Sequence, residues 1–176
     1  DSNEMFQAVK AISKHNGPVY MRTGRSNVNN ITDPKRKFLI GKGLLLNKGK
    51  EVCVISTGMQ TSIANNAINY LKSQGINITL IHMPCIKPID KNLIISNAKK
   101  HKAMITFEDH NIIGGLGGAV SEILSEYYPI KLIRMGIKDK IGRSGEAEQL
   151  VKKYNIDEKS LIKQIKTLLI YVKTKK

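Results

Sequence analysis

The run Thr106-Phe107-Glu108-Asp109-His110-Asn111-Ile112-Ile113-Gly114-Gly115-Leu116-Gly117-Gly118-Ala119-Val120 constrains the fold more than any other part of this 176-residue chain. An apolar strand ends in a polar cluster, passes through four glycines, and continues as a helix with Ala119, Ile123, Leu124 and Tyr127 at apolar positions. Glycine tolerates positive φ and close backbone approach, so the run reads as a tight strand-to-helix turn in an αβ layer. The same alternation recurs from residue 51 onward. Strands are predicted over 51–56, 78–82, 103–107 and 130–134, and helices over 61–73, 91–100, after the glycine turn, 145–154 and 158–172. Continuous β-branched strands that alternate with helices predict an α/β fold with a mostly parallel sheet covered on both faces. About five strands are expected, with Leu44-Leu45-Leu46 as an antiparallel edge.

Upstream the pattern changes. Residues 4–15 read as an amphipathic helix with Met5, Val9 and Ile12 on one face, ended by Asn16-Gly17. Pro18-Val19-Tyr20-Met21 reads as a short strand. Residues 23–50 are rich in Asn, Lys and Gly and contain Asp33-Pro34, which suggests a linker with a small hairpin around Phe38-Leu39-Ile40 and Leu44-Leu45-Leu46. The expected organisation is therefore residues 1–30 as one unit, 31–50 as linker and edge hairpin, and 51–176 as the main domain.

The net charge of +15 invites a nucleic-acid partner, but it comes from 24 lysines against 5 arginines scattered along the chain. Base and phosphate readers lean on arginine forks and stacked aromatics, and aromatics make up only 5% here with no tryptophan. The charge reads as solvated surface, equally suited to a phosphorylated small substrate. No apolar run approaches a membrane span. The start Asp1-Ser2-Asn3-Glu4 has no signal-peptide character and looks like a cut inside a longer polypeptide. Cys53 and Cys85 lie in apolar segments without a pairing pattern, so buried free thiols in a reducing cytosol, and a cytoplasmic protein, are expected.

Candidate chemistry is sparse. The glycine turn is a poor dinucleotide fingerprint, because Gly115 and Gly117 fit but Val120 stands where the third small residue belongs. Gly41-Lys42-Gly43-Leu44 lacks the spacing and hydroxyl of a P-loop. The glycines are better explained by positive φ and by close approach of the helix to a neighbouring domain. Glu108-Asp109-His110 sits at the carboxyl end of a strand, where open α/β sheets gather ligands. A carboxylate beside a histidine can act as a base, yet adjacent strand residues point in different directions and no triad or metal spacing accompanies them. Interface hydrogen bonding is the preferred role for these three. His82 on a buried strand and His15 and His101 at helix ends read as structural, with His101 a solvated complement to a helix C-terminus. Arg22 and Arg25 leave the strand at 18–21. Two guanidinium groups there suit capture of a phosphate, or an ordinary salt bridge, and the residues alone leave both open. No catalytic, cofactor-binding or metal-ligating residue is assigned.

Three groups of segments together resemble the C-terminal portion of transketolases. Gly17-Pro18-Val19-Tyr20-Met21-Arg22 with Gly24-Arg25-Ser26-Asn27 looks like the last strand of that family's pyrimidine-binding domain. Ser56-Thr57-Gly58-Met59 and Met83-Pro84-Cys85-Ile86-Lys87-Pro88-Ile89-Asp90 look like the first strand exits of its C-terminal domain. Residues 108–120, Arg134-Met135-Gly136-Ile137-Lys138-Asp139 and Gly142-Arg143-Ser144-Gly145 complete it. Deoxyxylulose-phosphate synthases and 2-oxoacid dehydrogenase β subunits share this domain and remain alternatives, as does a non-catalytic assembly module. The resemblance implies a thiamine diphosphate and Mg2+ enzyme that moves a two-carbon ketol unit between sugar phosphates. It also implies partners: a pyrophosphate-binding domain and the rest of a pyrimidine-binding domain, on the same or another chain, in a homodimer or heterotetramer. Arg25 matches the substrate-phosphate arginine, and Arg22, Glu108, Asp109 and His110 are expected at an interface. The fragment alone should be inactive and bind no cofactor.

Overall fold

The computed structural model describes residues 1–174. Strands β1 (Leu44–Asn47), β2 (Val52–Ser56), β3 (Thr79–His82), β4 (Ala103–Asn111) and β5 (Lys131–Ile137) form one sheet ordered β1-β3-β2-β4-β5. The β1–β3 pair is antiparallel and the β2–β3, β2–β4 and β4–β5 pairs are parallel, as the alternation predicted. The helices are α1 (Ser2–Ile12), α2 (Gln60–Ser73), α3 (Lys91–Ala98), α4 (Leu116–Tyr127), α5 (Ala147–Lys153) and α6 (Glu158–Thr174).

Strand period and handedness place the two cores. In β2, Val52 and Val54 face one side and Cys53 and Ile55 the other, and all are fully buried. Crossovers between parallel strands are right-handed, so connections that travel in opposite directions across a sheet lie on opposite faces. The β2–β3 connection runs toward β1, and its helix α2 packs with α6 against Val54, Leu80, Ile105 and Phe107. The β3–β4 and β4–β5 connections run the other way. Their helices α3 and α4 cover Ile55, Ile81 and Met104 on the second face. Adjacent strands β2 and β4 thus send their chains to opposite faces, which opens a crevice at their carboxyl ends.

Local signals start the helices where the sequence suggests. The Asp90 side chain accepts from Leu93 N (3.1 Å) at the start of α3 and from Gly43 N (3.2 Å), which ties the edge strand β1 to the same cap. The Asp1 side chain accepts from Glu4 N at the start of α1 and from the backbone of Ile31 and Thr32, so the segment after residue 30 folds back along α1.

Five expectations need correction. Pro18–Met21 is extended but joins no ladder, and Tyr20 is 90% exposed, because no strand among the described residues lies beside it. The hairpin around Phe38 does not form. Residues 39–42 make a turn through Gly41 (φ 79°), and β1 pairs with the distant β3 instead. On α1, Val9 faces solvent and Ala8 is the buried residue. Cys85 is half-buried, whereas Cys53 is wholly buried. His101 is buried rather than solvated. Its Nδ1 donates to Asn97 O and its Nε2 bonds Thr79 Oγ1, each at 2.7 Å, which joins the end of α3 to β3. No helix among the described residues is long and apolar enough to cross a membrane.

Candidate functional site

β4 runs four residues further than its apolar stretch, so Glu108, Asp109 and His110 lie on the strand rather than beyond it. The β4–β5 register is irregular between Phe107 and Asn111, and the three side chains go to different places. Glu108 turns inward and is 1% exposed. Its Oε2 accepts from Leu116 N and its Oε1 from Gly117 N, both at 2.8 Å, so the carboxylate caps the free N–H groups of α4. Burial pushes its carboxyl above the usual range, and the N–H groups of Gly117 and Leu116 only partly oppose that. A Cβ on Gly115 would collide with Glu108 Oε2, and one on Gly136 would lie 3.1 Å from Glu108 Cγ. At Gly115 the glycine turn is therefore shaped by close approach to a carboxylate of its own domain. Gly114 (φ 74°) supplies the positive-φ step.

Asp109 points into the crevice between β2 and β4, over the turn at Gly58 (φ 57°). Arg22 Nη2 donates to Asp109 Oδ2 at 2.8 Å and to its carbonyl at 3.4 Å. With side-chain exposures of 48% and 22%, this pair is worth at most about 1 kcal/mol. His110 faces solvent, and its ring Nδ1 reaches only Asn111 O. Arg25 is exposed, and among the described residues it makes no hydrogen bond or ion pair.

A second constellation was not legible. His82, at the end of β3, bonds Glu4 Oε2 through Nε2 (2.7 Å) and Thr61 Oγ1 through Nδ1 (2.8 Å), while Ser56 Oγ donates to Thr61 Oγ1 (3.0 Å). Ser56 donates to Thr61, and the two ring nitrogens of His82 are engaged by Thr61 and Glu4, so every member of the chain has a partner. Burial raises the Glu4 carboxyl, but the hydrogen bond and charge of His82, with the N-terminus and Arg36, together hold the group below its ordinary value. The order hydroxyl, imidazole, carboxylate resembles a nucleophile relay. Thr61 is 1% exposed and Ser56 is 0% exposed, so no substrate reaches a hydroxyl, and the relay serves packing. His82 at a strand end was the one visible signal, and its partner Glu4 lies 78 positions away.

Both charge pairs join residues 1–30 to the carboxyl edge of the sheet. The crevice that an open α/β sheet offers to ligands is thereby lined by the chain's own N-terminal segment.

Comparison with known proteins agrees with this architecture. Residues 41–161 match the family described as transketolase, C-terminal domain. The chain is 41% identical over 160 residues to a putative transketolase C-terminal section of Methanocaldococcus jannaschii, covering 89% of this chain and 50% of that protein. It is 34% identical to the 1-deoxy-D-xylulose-5-phosphate synthase of Caldanaerobacter subterraneus subsp. tengcongensis, covering 92% of this chain and 26% of that one. A solved split-gene transketolase, in an inactive beta4 tetramer, superposes with a TM-score of 0.91 at 35% identity, over 97% of this chain and 56% of its own. The chain thus spans about half the archaeal relative and a quarter of the synthase. Match and fold together make this chain a member of the transketolase C-terminal domain family.

Proposed function

We propose that this chain is the C-terminal part of a thiamine diphosphate-dependent transketolase that transfers a two-carbon ketol unit between sugar phosphates in the cytoplasm. Residues 1–30 are the last helix and strand of the pyrimidine-binding domain, 31–50 the linker, and 51–176 the C-terminal domain. The observation that carries this reading is the likeness, along nearly the whole chain, to a split-gene transketolase of which it covers 56%. The extended segment at 18–21, with unpaired backbone and Val19, Tyr20 and Met21 exposed, fits a strand whose neighbours belong to another part of the enzyme. The other half is supplied in the same or a separate chain, in a homodimer or heterotetramer.

The reading assigns thiamine diphosphate and Mg2+ to the other domains; for the metal it is supported by the absence, among the described residues, of any group of three His, Cys, Asp or Glu that could hold one. The proposed contribution of this chain is packing and Arg25, whose uncommitted guanidinium binds the sugar phosphate. The test is activity of the chain assembled with its complementary half. Ketol transfer between sugar phosphates supports the reading, and formation of 1-deoxyxylulose 5-phosphate instead would reassign the enzyme to the synthases. In that assembly Arg25→Ala should raise the KM for phosphorylated sugars about tenfold or more, the loss of one charge-assisted contact. An unchanged KM would remove the arginine role.

A further inference from the structure

We propose that Asp109 is a positioning residue, whose carboxylate tethers Arg22 and so holds the segment that presents Arg25 at the carboxyl end of the sheet. This rests on the phosphate role of Arg25 proposed above, and it gives the C-terminal domain a share in substrate binding.

The argument begins with what holds residues 16–29 in place. Among the described residues, the hydrogen bonds that join this stretch to the rest of the chain are the two from Arg22 to Asp109. The backbone of the stretch enters no ladder, and Tyr20 and Arg25 are exposed on either side of the tether. Such a segment has little else to restrain it from within this chain. Arg25 lies three residues beyond Arg22, so its Cα stays within about 11 Å of the anchored residue whatever the intervening dihedrals.

The anchor itself is rigid. Asp109 follows Glu108, which is locked by two 2.8 Å hydrogen bonds to the start of α4, and it lies between two paired positions of β4, Phe107 with Met135 and Asn111 with Ile137 of β5. Its Oδ1 lies over Gly58, where even an added Cβ would come to 3.9 Å. One carboxylate oxygen takes Arg22 while the other faces the turn at the start of α2. The charge arithmetic also suits the task. Asp109 neutralises Arg22 and leaves Arg25 as the uncommitted cation of the segment, so a phosphate is drawn to one defined guanidinium.

A tether of this kind acts on binding more than on chemistry. In the assembled enzyme, Asp109→Ala is expected to raise the KM for phosphorylated sugars about two- to fivefold, the scale of a partly exposed ion pair, with kcat little moved. The KM for an unphosphorylated ketol donor should stay as it was. Amide exchange in peptides covering 22–29, beyond the proposed strand at 18–21, should quicken. Arg22→Ala should reproduce both effects, the double variant should be no worse than either single one, and Asp109→Glu should restore most of the loss. Equal KM changes for phosphorylated and unphosphorylated donors, additive effects of Arg22 and Asp109, or unaltered exchange would each overturn the proposal. If Arg25→Ala proves silent, the phosphate role falls by itself. The tether is then judged by exchange alone, which upholds it when faster and overturns it when unchanged.

Discussion

Replacing Gly115 by alanine adds one methyl group, and the structure makes its cost calculable. Gly115 has φ −104° and ψ −154°, an extended conformation open to any residue, so backbone strain is not the issue. The methyl group would collide with Glu108 Oε2 and lie 2.9 Å from Asn111 O. Backbone on one side cannot yield, so the carboxylate must leave the start of α4. Two charge-assisted hydrogen bonds are then lost, each worth about 1.5–3 kcal/mol, and a buried carboxyl is left without donors. Protonation recovers part of this, since burial already favours the neutral acid. A net loss of about 3 kcal/mol follows, a large fraction of the 5–15 kcal/mol that holds a typical domain.

Urea denaturation of the chain, followed by far-UV circular dichroism, measures this directly, and a double-mutant cycle tests its cause. Glu108→Ala alone should cost a similar amount. In that background Gly115→Ala should cost about 1 kcal/mol or less, because only Asn111 O still opposes the methyl group. The coupling should thus be about 2 kcal/mol. If the two losses instead add within about 0.5 kcal/mol, Gly115 is not there to let the carboxylate approach.

Gly118, in the first turn of α4, has nothing within 4 Å of an added Cβ. Gly118→Ala should therefore stabilise the chain by about 0.5–1 kcal/mol in the same denaturation experiment, and destabilisation would reveal a contact not seen here. Glu4 provides the pH-dependent case. Its folded-state carboxyl lies below the ordinary 4.5, so its contribution is present above that value and is lost as pH falls through the lower folded value. Stability measured from pH 6 to 3 should fall less steeply in Glu4→Gln than in the parent chain, and parallel curves would rule out the Glu4–His82 bond as the source.

Sequence served well wherever the energetics were local or periodic. The runs at 52–56, 79–82 and 103–107 are apolar on both faces because both faces are covered, and continuous runs of that kind have few other uses. Asp90 and the glycines announced their turns through side-chain chemistry that acts over three or four residues. The Phe38-Leu39-Ile40 run misled because an apolar triplet carries no information about its partner. The edge strand found its ladder in β3, more than thirty positions away, and left the triplet in a turn. The contacts that define the candidate site were out of reach for the same reason. Glu4 meets His82 across 78 positions and Arg22 meets Asp109 across 87, and no period or motif encodes such pairs.

The placement of those two pairs follows from the topology. A parallel sheet with its crossovers on both faces has one place where neighbouring connections diverge, and here it lies between β2 and β4. Unfilled, that crevice leaves strand-end carbonyls and the N–H groups of α2 and α4 in need of partners. The α4 end is closed from within by Glu108, and the crevice above it is lined from without by residues 1–30. A residue set that elsewhere makes a ligand site is thus spent on joining two segments of one chain. Asp109 stands at the junction with one oxygen on Arg22, so a change at the end of this sheet is felt first by the segment that carries Arg25. That coupling predicts substrate-binding phenotypes from substitutions at Asp109, a residue assigned no contact with cofactor or reacting carbon.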